Sequence, residues 1–202
     1  SPSARGRRLP RLDLVGRARF EAADALVVEL DEVTARGNDF RAGRQVRALD
    51  VLHQLARRRF RLFEQNLAIS RGLGDRAGTA LALAKLGRAA YEQHDRERSN
   101  EHYRQALRLY REAGNRWGPV VCIEGLAALA MSTGRPKRSA SLVGAADVLR
   151  EAIREPLPPP ERAWLDRVVT AARGLLGDEA FATAWAEGRA MTLEQAVSYA
   201  LE

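Results

Sequence analysis

The chain has 202 residues, 46% of them hydrophobic and 29% charged, and a formal net charge of +7. That length and balance suit a packed domain or an elongated helical array and exclude a disordered or collagen-like chain. One cysteine, Cys122, rules out an intrachain disulfide and points to a reducing compartment, and no apolar run approaches the roughly 18 residues a membrane span needs.

The charge is uneven. Residues 1–72 hold 15 arginines against 9 acids, whereas the remainder is close to balanced. Residues 1–11, rich in Pro, Ser and Arg, read as a flexible basic tail. No apolar stretch follows Arg5, Arg7 and Arg8 as a secretory leader requires, so the expected location is cytoplasmic. Lysine is confined to Lys85 and Lys137, an arginine bias better explained by coding composition than by a binding site. Direct nucleic-acid contact is not expected. It is kept as an alternative through the Arg5–Arg19 and Arg57–Arg61 clusters.

Residues 12–72 form the next unit. The apolar spacing from Leu12 to Ala35 predicts a helix ending near Gly37-Asn38. From Gln45 to Arg71 there is no Gly or Pro. Leu49, Leu52, Ala56, Phe60, Phe63 and Leu67 advance by three or four, which predicts one long amphipathic helix with Arg44, Arg47, Arg58 and Arg61 on the opposite side. The Arg57-Arg58-Arg59 run reads as a solvated face.

Residues 73–154 contain a pattern that recurs after forty positions. It pairs Gly74 with Gly114, Arg76 with Arg116, Gly78 with Gly118, Leu86 with Leu126 and Ala90 with Ala130. It continues through Arg98 and Arg138, Ser99 and Ser139, Ala106 and Ala146, Leu109 and Leu149. Each copy divides into two helices, the first breaking near His94-Asp95 and the second at Thr133-Gly134-Arg135-Pro136. Such a period marks a helical repeat array. Phe63, Gln65, Leu67 and Arg71 match Tyr103, Gln105, Leu107 and Arg111, so the end of the long helix reads as the second helix of an earlier, fused repeat.

Here the chain resembles the tetratricopeptide repeat family. Leu86, Gly87, Ser99, Tyr103 and Ala106 stand at that family's helix-packing spacing, and Leu126, Ala127, Ser139 and Ala146 repeat it. Ala90 and Ala130 depart from it, occupying a site that is often aromatic in the family, and the period is longer than the family's. The fold class is all-α: a tetratricopeptide-like array of antiparallel helix pairs, roughly eight helices in all, with a carboxy-terminal helical cap. In this family the first helix of each pair lines a groove. Carried across, that places Leu81, Arg88, Tyr91 and Glu92, then Val121, Glu124 and Met131, as candidates for contact with a protein or small effector.

Residues 155–202 are a Pro-rich connector and the cap. Arg154 to Pro160 ends a helix and stiffens the chain, and Glu161 to Leu176 reads as a helix with Trp164, Val168 and Leu175 on one face. Asp178 is the expected N-cap of a short helix carrying Phe181 and Trp185, which Gly188 stops; Thr192 and Gln195 form a capping box for the last helix. Leu142-Val143-Gly144-Ala145-Ala146, Pro156-Leu157-Pro158, Phe181, Trp185, Gly188 and the run Arg189 to Ala196 resemble the carboxy-terminal part of large bacterial signal-transduction ATPases and of LuxR-type or SARP-like transcriptional regulators. The resemblance covers about residues 60–202. It implies a sensor or scaffold segment of a larger bacterial regulator rather than its ATPase or DNA reader.

Motifs for chemistry are lacking. Gly72-Leu73-Gly74-Asp75 has no Gly-Lys-Ser/Thr and reads as an inter-repeat turn, the three histidines form no HExxH, and Cys122 sits on an apolar face as an inert thiol. No catalytic residue, cofactor or metal site is assigned, and a non-enzymatic binding module is expected. The alternative is a standalone adaptor that binds peptides or forms a homo-oligomer through the Gln45–Arg71 helix.

Overall fold

A computed structural model describes residues 42–154 and 156–202, with side chains from residue 54 onward. The basic tail, the Leu12–Ala35 helix and the side chains of Leu49 and Leu52 lie outside the described residues. Eight helices fill the described chain: α1 (Ala42–Gly72), α2 (Arg76–Glu92), α3 (Arg96–Glu112), α4 (Gly118–Ser132), α5 (Pro136–Ile153), α6 (Pro159–Leu176), α7 (Asp178–Arg189) and α8 (Leu193–Leu201). There is no strand among them.

The turns repeat at half the expected period. Gly74, His94, Gly114 and Gly134 all take positive φ, between 61° and 73°, and they stand twenty residues apart. At each, the residue's own N–H bonds the carbonyl three back, and the next N–H bonds the carbonyl five back. Gly74 reaches Arg71 and Asp75 reaches Ser70; Gly134 reaches Met131 and Arg135 reaches Ala130. This is the double hydrogen bond of a left-handed helix stop, which satisfies carbonyls that the helix leaves open. The following side chain starts the next helix. Asp75 accepts from Gly78 N–H at 2.9 Å, Asp95 from Arg98 N–H at 3.0 Å and Asn115 from Gly118 N–H at 2.8 Å. At the fourth stop Arg135 offers no such cap, and Pro136 opens α5 instead.

Neighbouring helices pack in sequence. The second half of α1 packs on α2, α2 on α3, α3 on α4, and α4 on α5. The first helices also touch directly, α2 against α4 and α4 against α6, and form one row. Apart from Glu124 and the terminal Ser132, helix α4 is apolar, and it is buried except at Val121, Met131 and Ser132, so it is the centre of the core. Its neighbours Leu83, Tyr103, Leu107, Leu142, Val143 and Val168 are each less than 9% exposed.

Small residues set the helix separations. Leu86, Gly87, Ser99, Tyr103 and Ala106 are all buried, as are Leu126, Ala127, Ser139 and Ala146, and Leu86 packs with Phe63 of α1. Ser99 Oγ donates to the Gly87 carbonyl at 2.8 Å. Ser139 Oγ is buried with no hydrogen-bond partner among the described residues, although it stands forty positions on. Helices α5 and α7 cross backbone to backbone. A Cβ on Gly188 would lie 1.9 Å from the Ser141 carbonyl oxygen, and one on Gly144 would lie 2.3 Å from that of Trp185. Gly188 therefore does not stop the helix: it lies inside α7, as the contact point of the crossing.

Other boundaries and faces also differ from expectation. Helix α6 begins at Pro159, because the first helical turn needs no N–H donors and tolerates proline. The N-cap of α7 is Gly177, with Asp178 as the first helical residue. Leu175 is 67% exposed, and Ala172, one turn beyond Val168, takes the buried place on α6. The cap resolves into two parts. Helix α6 continues the row of first helices, α7 lies along α5, and α8 folds back over α3, α4 and α5. Arg104 donates to the Leu201 carbonyl, and Arg138 donates to that of Tyr199 at 2.7 Å. Two guanidinium groups thus meet the negative end of the α8 dipole. Its start is held by the Thr192–Gln195 capping box.

Candidate functional site

The row α2, α4, α6 borders a cleft of about 440 Å³. Helix α1 contributes Arg59 and Phe63, and the connector contributes Pro156, Leu157 and Pro158. Leu81, Ala84 and Val121 supply apolar wall, and Tyr103, Trp117 and Trp164 supply aromatic wall. Two of the chain's three tryptophans therefore meet at this cleft.

The charged groups are arranged in two sets. On the α1–α2 side, Glu92 accepts from Arg59 and, at 2.8 Å, from Arg88 Nε. The Arg88 guanidinium also lies 3.8 Å from the Trp164 ring centroid. That is cation–π distance, and it ties α2 to α6. Tyr91 meets the same ring edge-on at 6.0 Å. On the α4–α5 side, Arg150 Nε and Nη2 both donate to Glu124 Oε1, at 2.9 and 2.6 Å. The Glu124 side chain is only 6% exposed and that of Arg150 12%. Burial pushes the Glu124 carboxyl above the usual carboxylate range, and the Arg150 charge and hydrogen bonds pull against it.

Five of the seven groove candidates come together in this cleft: Leu81, Arg88, Glu92, Val121 and Glu124. Tyr91 stands behind Trp164 rather than on the cleft wall, and Met131 packs at the other end of α4, beside the cluster of Ala140, Ala172, Phe181 and Ala184. Neither lines the cleft. The arginine run of α1 divides: Arg57 and Arg58 are exposed, whereas Arg59 is 4% exposed and salt-bridged to Glu92. It is not a uniformly solvated face. The buried side of α1 runs through Arg59, Phe63, Asn66 and Ser70, a more polar stripe than the apolar pattern predicts.

A smaller crevice of about 280 Å³ lies on the α8 side, bordered by Arg96, Arg104, Arg135 and Arg138. Two of these arginines already hold the end of α8. Among the described residues no group of histidine, cysteine and carboxylate side chains is placed to hold a metal ion, and no helix is long and apolar enough to cross a membrane. Cys122 is fully buried and its thiol is pushed far up by that burial, so no thiolate nucleophile forms there.

The chain is similar to bacterial transcriptional regulators. It is 33% identical over 120 residues, 59% of its own length, to the Mycobacterium bovis protein named "Putative HTH-type transcriptional regulator Mb0914c". The same identity and coverage hold for the Mycobacterium tuberculosis protein named "Putative HTH-type transcriptional regulator Rv0890c". The chain spans only about 14% of the length of these curated relatives. No protein-family model matches the chain, and no solved structure matches it.

Sequence reasoning did not select Arg59, Lys85, Trp117, Arg150 or Trp164 for the site. Lys85 carried a usable signal, since Leu81, Lys85, Arg88 and Glu92 advance by four, three and four and so share one helical face. The others come from different helices, and only the packing of α1, α5 and α6 around the row brings them in.

Proposed function

We propose that this chain is a non-enzymatic, tetratricopeptide-like sensor segment of a larger cytoplasmic bacterial transcriptional regulator, and that the cleft between α2, α4 and α6 receives its effector. The observation that carries the proposal is the cleft itself. It is a concave, mainly apolar site with a few fixed charges, built where successive first helices meet, and its volume falls within the roughly 300–1,000 Å³ range of ligand pockets. The similarity to HTH-type regulators supplies the regulatory context. The antiparallel pairs and their repeated stops support the tetratricopeptide-like reading.

An occupant of the cleft would touch α1, α2, α4, α6 and the connector together. Binding would therefore bias how these elements sit relative to one another, which is the way an effector acts through differential affinity for two arrangements. Filling the cleft with Val121→Trp in the chromosomal gene, followed by transcript profiling, tests this. The expected result is a changed set of transcripts with the protein still accumulating at its normal level. An unchanged profile at normal protein level would remove the cleft from regulation.

A further inference from the structure

The charges of the proposed effector cleft are already committed within the protein, and this bears on the class of its occupant. Glu92 accepts from Arg59 and Arg88, and Glu124 accepts from two nitrogens of Arg150. Arg59, Arg88 and Arg150 have further interactions besides these, and Lys85 is engaged as well. Glu161 stands in the first turn of α6, where the positive end of the helix dipole meets it. The Arg88 guanidinium also lies over the Trp164 ring.

The apolar wall gathers toward the starts of the first helices. Leu81 precedes Lys85, Arg88 and Glu92 along α2, and Trp117 and Val121 precede Glu124 at α4. These two helices run the same way, because a tight stop reverses the chain on each side of α3. Leu157, just before α6, lines the same cleft. Leu81, Trp117, Val121 and Leu157 are each half-buried, so they keep apolar surface for a ligand to cover. Trp117 and the neighbouring Pro156 and Pro158 offer flat surfaces, which suit a planar body.

A charged ligand group would lose its hydration in a recess whose counter-charges already serve the protein's own side chains. An uncharged body avoids that loss and gains from covering the apolar wall. The volume suits a small organic molecule rather than a length of folded peptide. Resting on the cleft reading above, we infer that the occupant is an uncharged small organic molecule, with an aromatic or fused-ring body set against Leu81, Trp117, Val121 and Leu157.

Two fluorescent probes separate the parts of this inference. N-Phenyl-1-naphthylamine has the aromatic body without a charge; 8-anilinonaphthalene-1-sulfonate has the same body with an anion. Each is titrated into the folded chain, into Glu92→Gln and into the cleft-filled Val121→Trp, with circular dichroism confirming that each variant remains helical. The neutral probe is expected to bind the native chain at one saturable site, about tenfold or more tighter than the sulfonate. Glu92→Gln removes a carboxylate from the cleft and is expected to narrow that gap about tenfold; Val121→Trp is expected to abolish both. A sulfonate that binds the native chain as tightly as the neutral probe, with both lost in Val121→Trp, would overturn the neutral class while leaving the cleft as the binding site. A gap that Glu92→Gln leaves unchanged would place the preference in the probes' own hydrophobicity and overturn the role given to the committed charges. Failure of the neutral probe to saturate, or binding that survives Val121→Trp, would overturn the cleft itself.

Discussion

Gly125 on α4 lies flat against the ring of Tyr103 on α3: a Cβ built on Gly125 would fall 2.2 Å from Tyr103 Cζ. The opposite neighbour is also a glycine, Gly87, whose Cβ would fall 2.9 Å from Tyr103 Cγ. The buried ring is thus held between two backbone surfaces, and it fixes the spacing of α2, α3 and α4 behind the cleft. The phenol's ionisation is pushed far up by burial, so it stays neutral. Because both the ring and the helix axes are fixed, Gly125→Ala is expected to cost about 1–3 kcal/mol in urea unfolding, the range for overpacking a well-packed core. A neutral result would mean that Tyr103 can swing aside and does not set the spacing.

His94 occupies the one helix stop of the four that is not glycine, at φ 61°. A Cβ in that conformation costs roughly 1–2 kcal/mol, part of which glycine gives back through its own chain entropy. His94→Gly is therefore expected to raise stability by about 0.5–1 kcal/mol, and His94→Ala is not. Chemical denaturation of the three proteins side by side checks it; stabilisation by alanine as well would place the effect in the imidazole rather than in the backbone.

The Glu124–Arg150 pair sits at the base of the cleft, largely out of water. Removing one member leaves the other charge buried against a desolvation penalty. Arg150→Met should destabilise the fold by about 3–5 kcal/mol, whereas the double change Glu124→Leu with Arg150→Leu should cost much less. Equal losses for the single and the double variants would show that packing, not charge, holds this corner.

His102 on α3 is half-buried, with Nδ1 enclosed and lacking a hydrogen-bond partner among the described residues. Burial is the largest influence and pushes its pKa below the ordinary 6.5; Glu101 pulls it up, and Arg98 and Arg71 push it down. The folded state therefore prefers the neutral ring. Above the unfolded pKa both states are neutral and stability is complete; as pH falls through that value toward the lower folded pKa, only the unfolded chain takes up the proton and stability declines. Urea midpoints between about pH 7.5 and about pH 5.5 should fall for the native chain and fall less for His102→Gln. Parallel curves for the two would assign the pH dependence to other groups.

Much of the fold was legible because its signals are local. The forty-residue recurrence, the long uninterrupted α1 and the Thr192–Gln195 box depend on residues close in sequence, and each can be read from spacing alone. The twenty-residue spacing of the stops was less visible. Histidine replaces glycine at position 94, and the residues after the four stops are Asp75, Asp95, Asn115 and Arg135, so the shared backbone geometry has no single residue pattern. Gly188 misled because a helical glycine signals an end by default, whereas here the absent side chain lets α5 and α7 backbones touch.

The site was legible on one helix and not between helices. Leu81, Arg88 and Glu92 share a face that spacing reveals, but Glu124 looks like an exposed residue until α5 brings Arg150 against it. Arg59 looks like one of three equivalent arginines until Glu92, thirty-three residues away, distinguishes it. Ion pairs that span helices are set by tertiary packing, which no local pattern encodes.

The central claim concerns where a ligand sits, and at 22.3 kDa the chain is accessible to nuclear magnetic resonance. The most direct test is a backbone amide shift map recorded while 8-anilinonaphthalene-1-sulfonate is titrated in. The account predicts that the largest changes cluster at Leu81, Lys85, Arg88, Trp117, Val121 and Trp164, with the tryptophan side-chain N–H signals of Trp117 and Trp164 moving and that of Trp185 still. Changes centred on the Arg96–Arg138 crevice, or scattered over the surface without saturation, would contradict it.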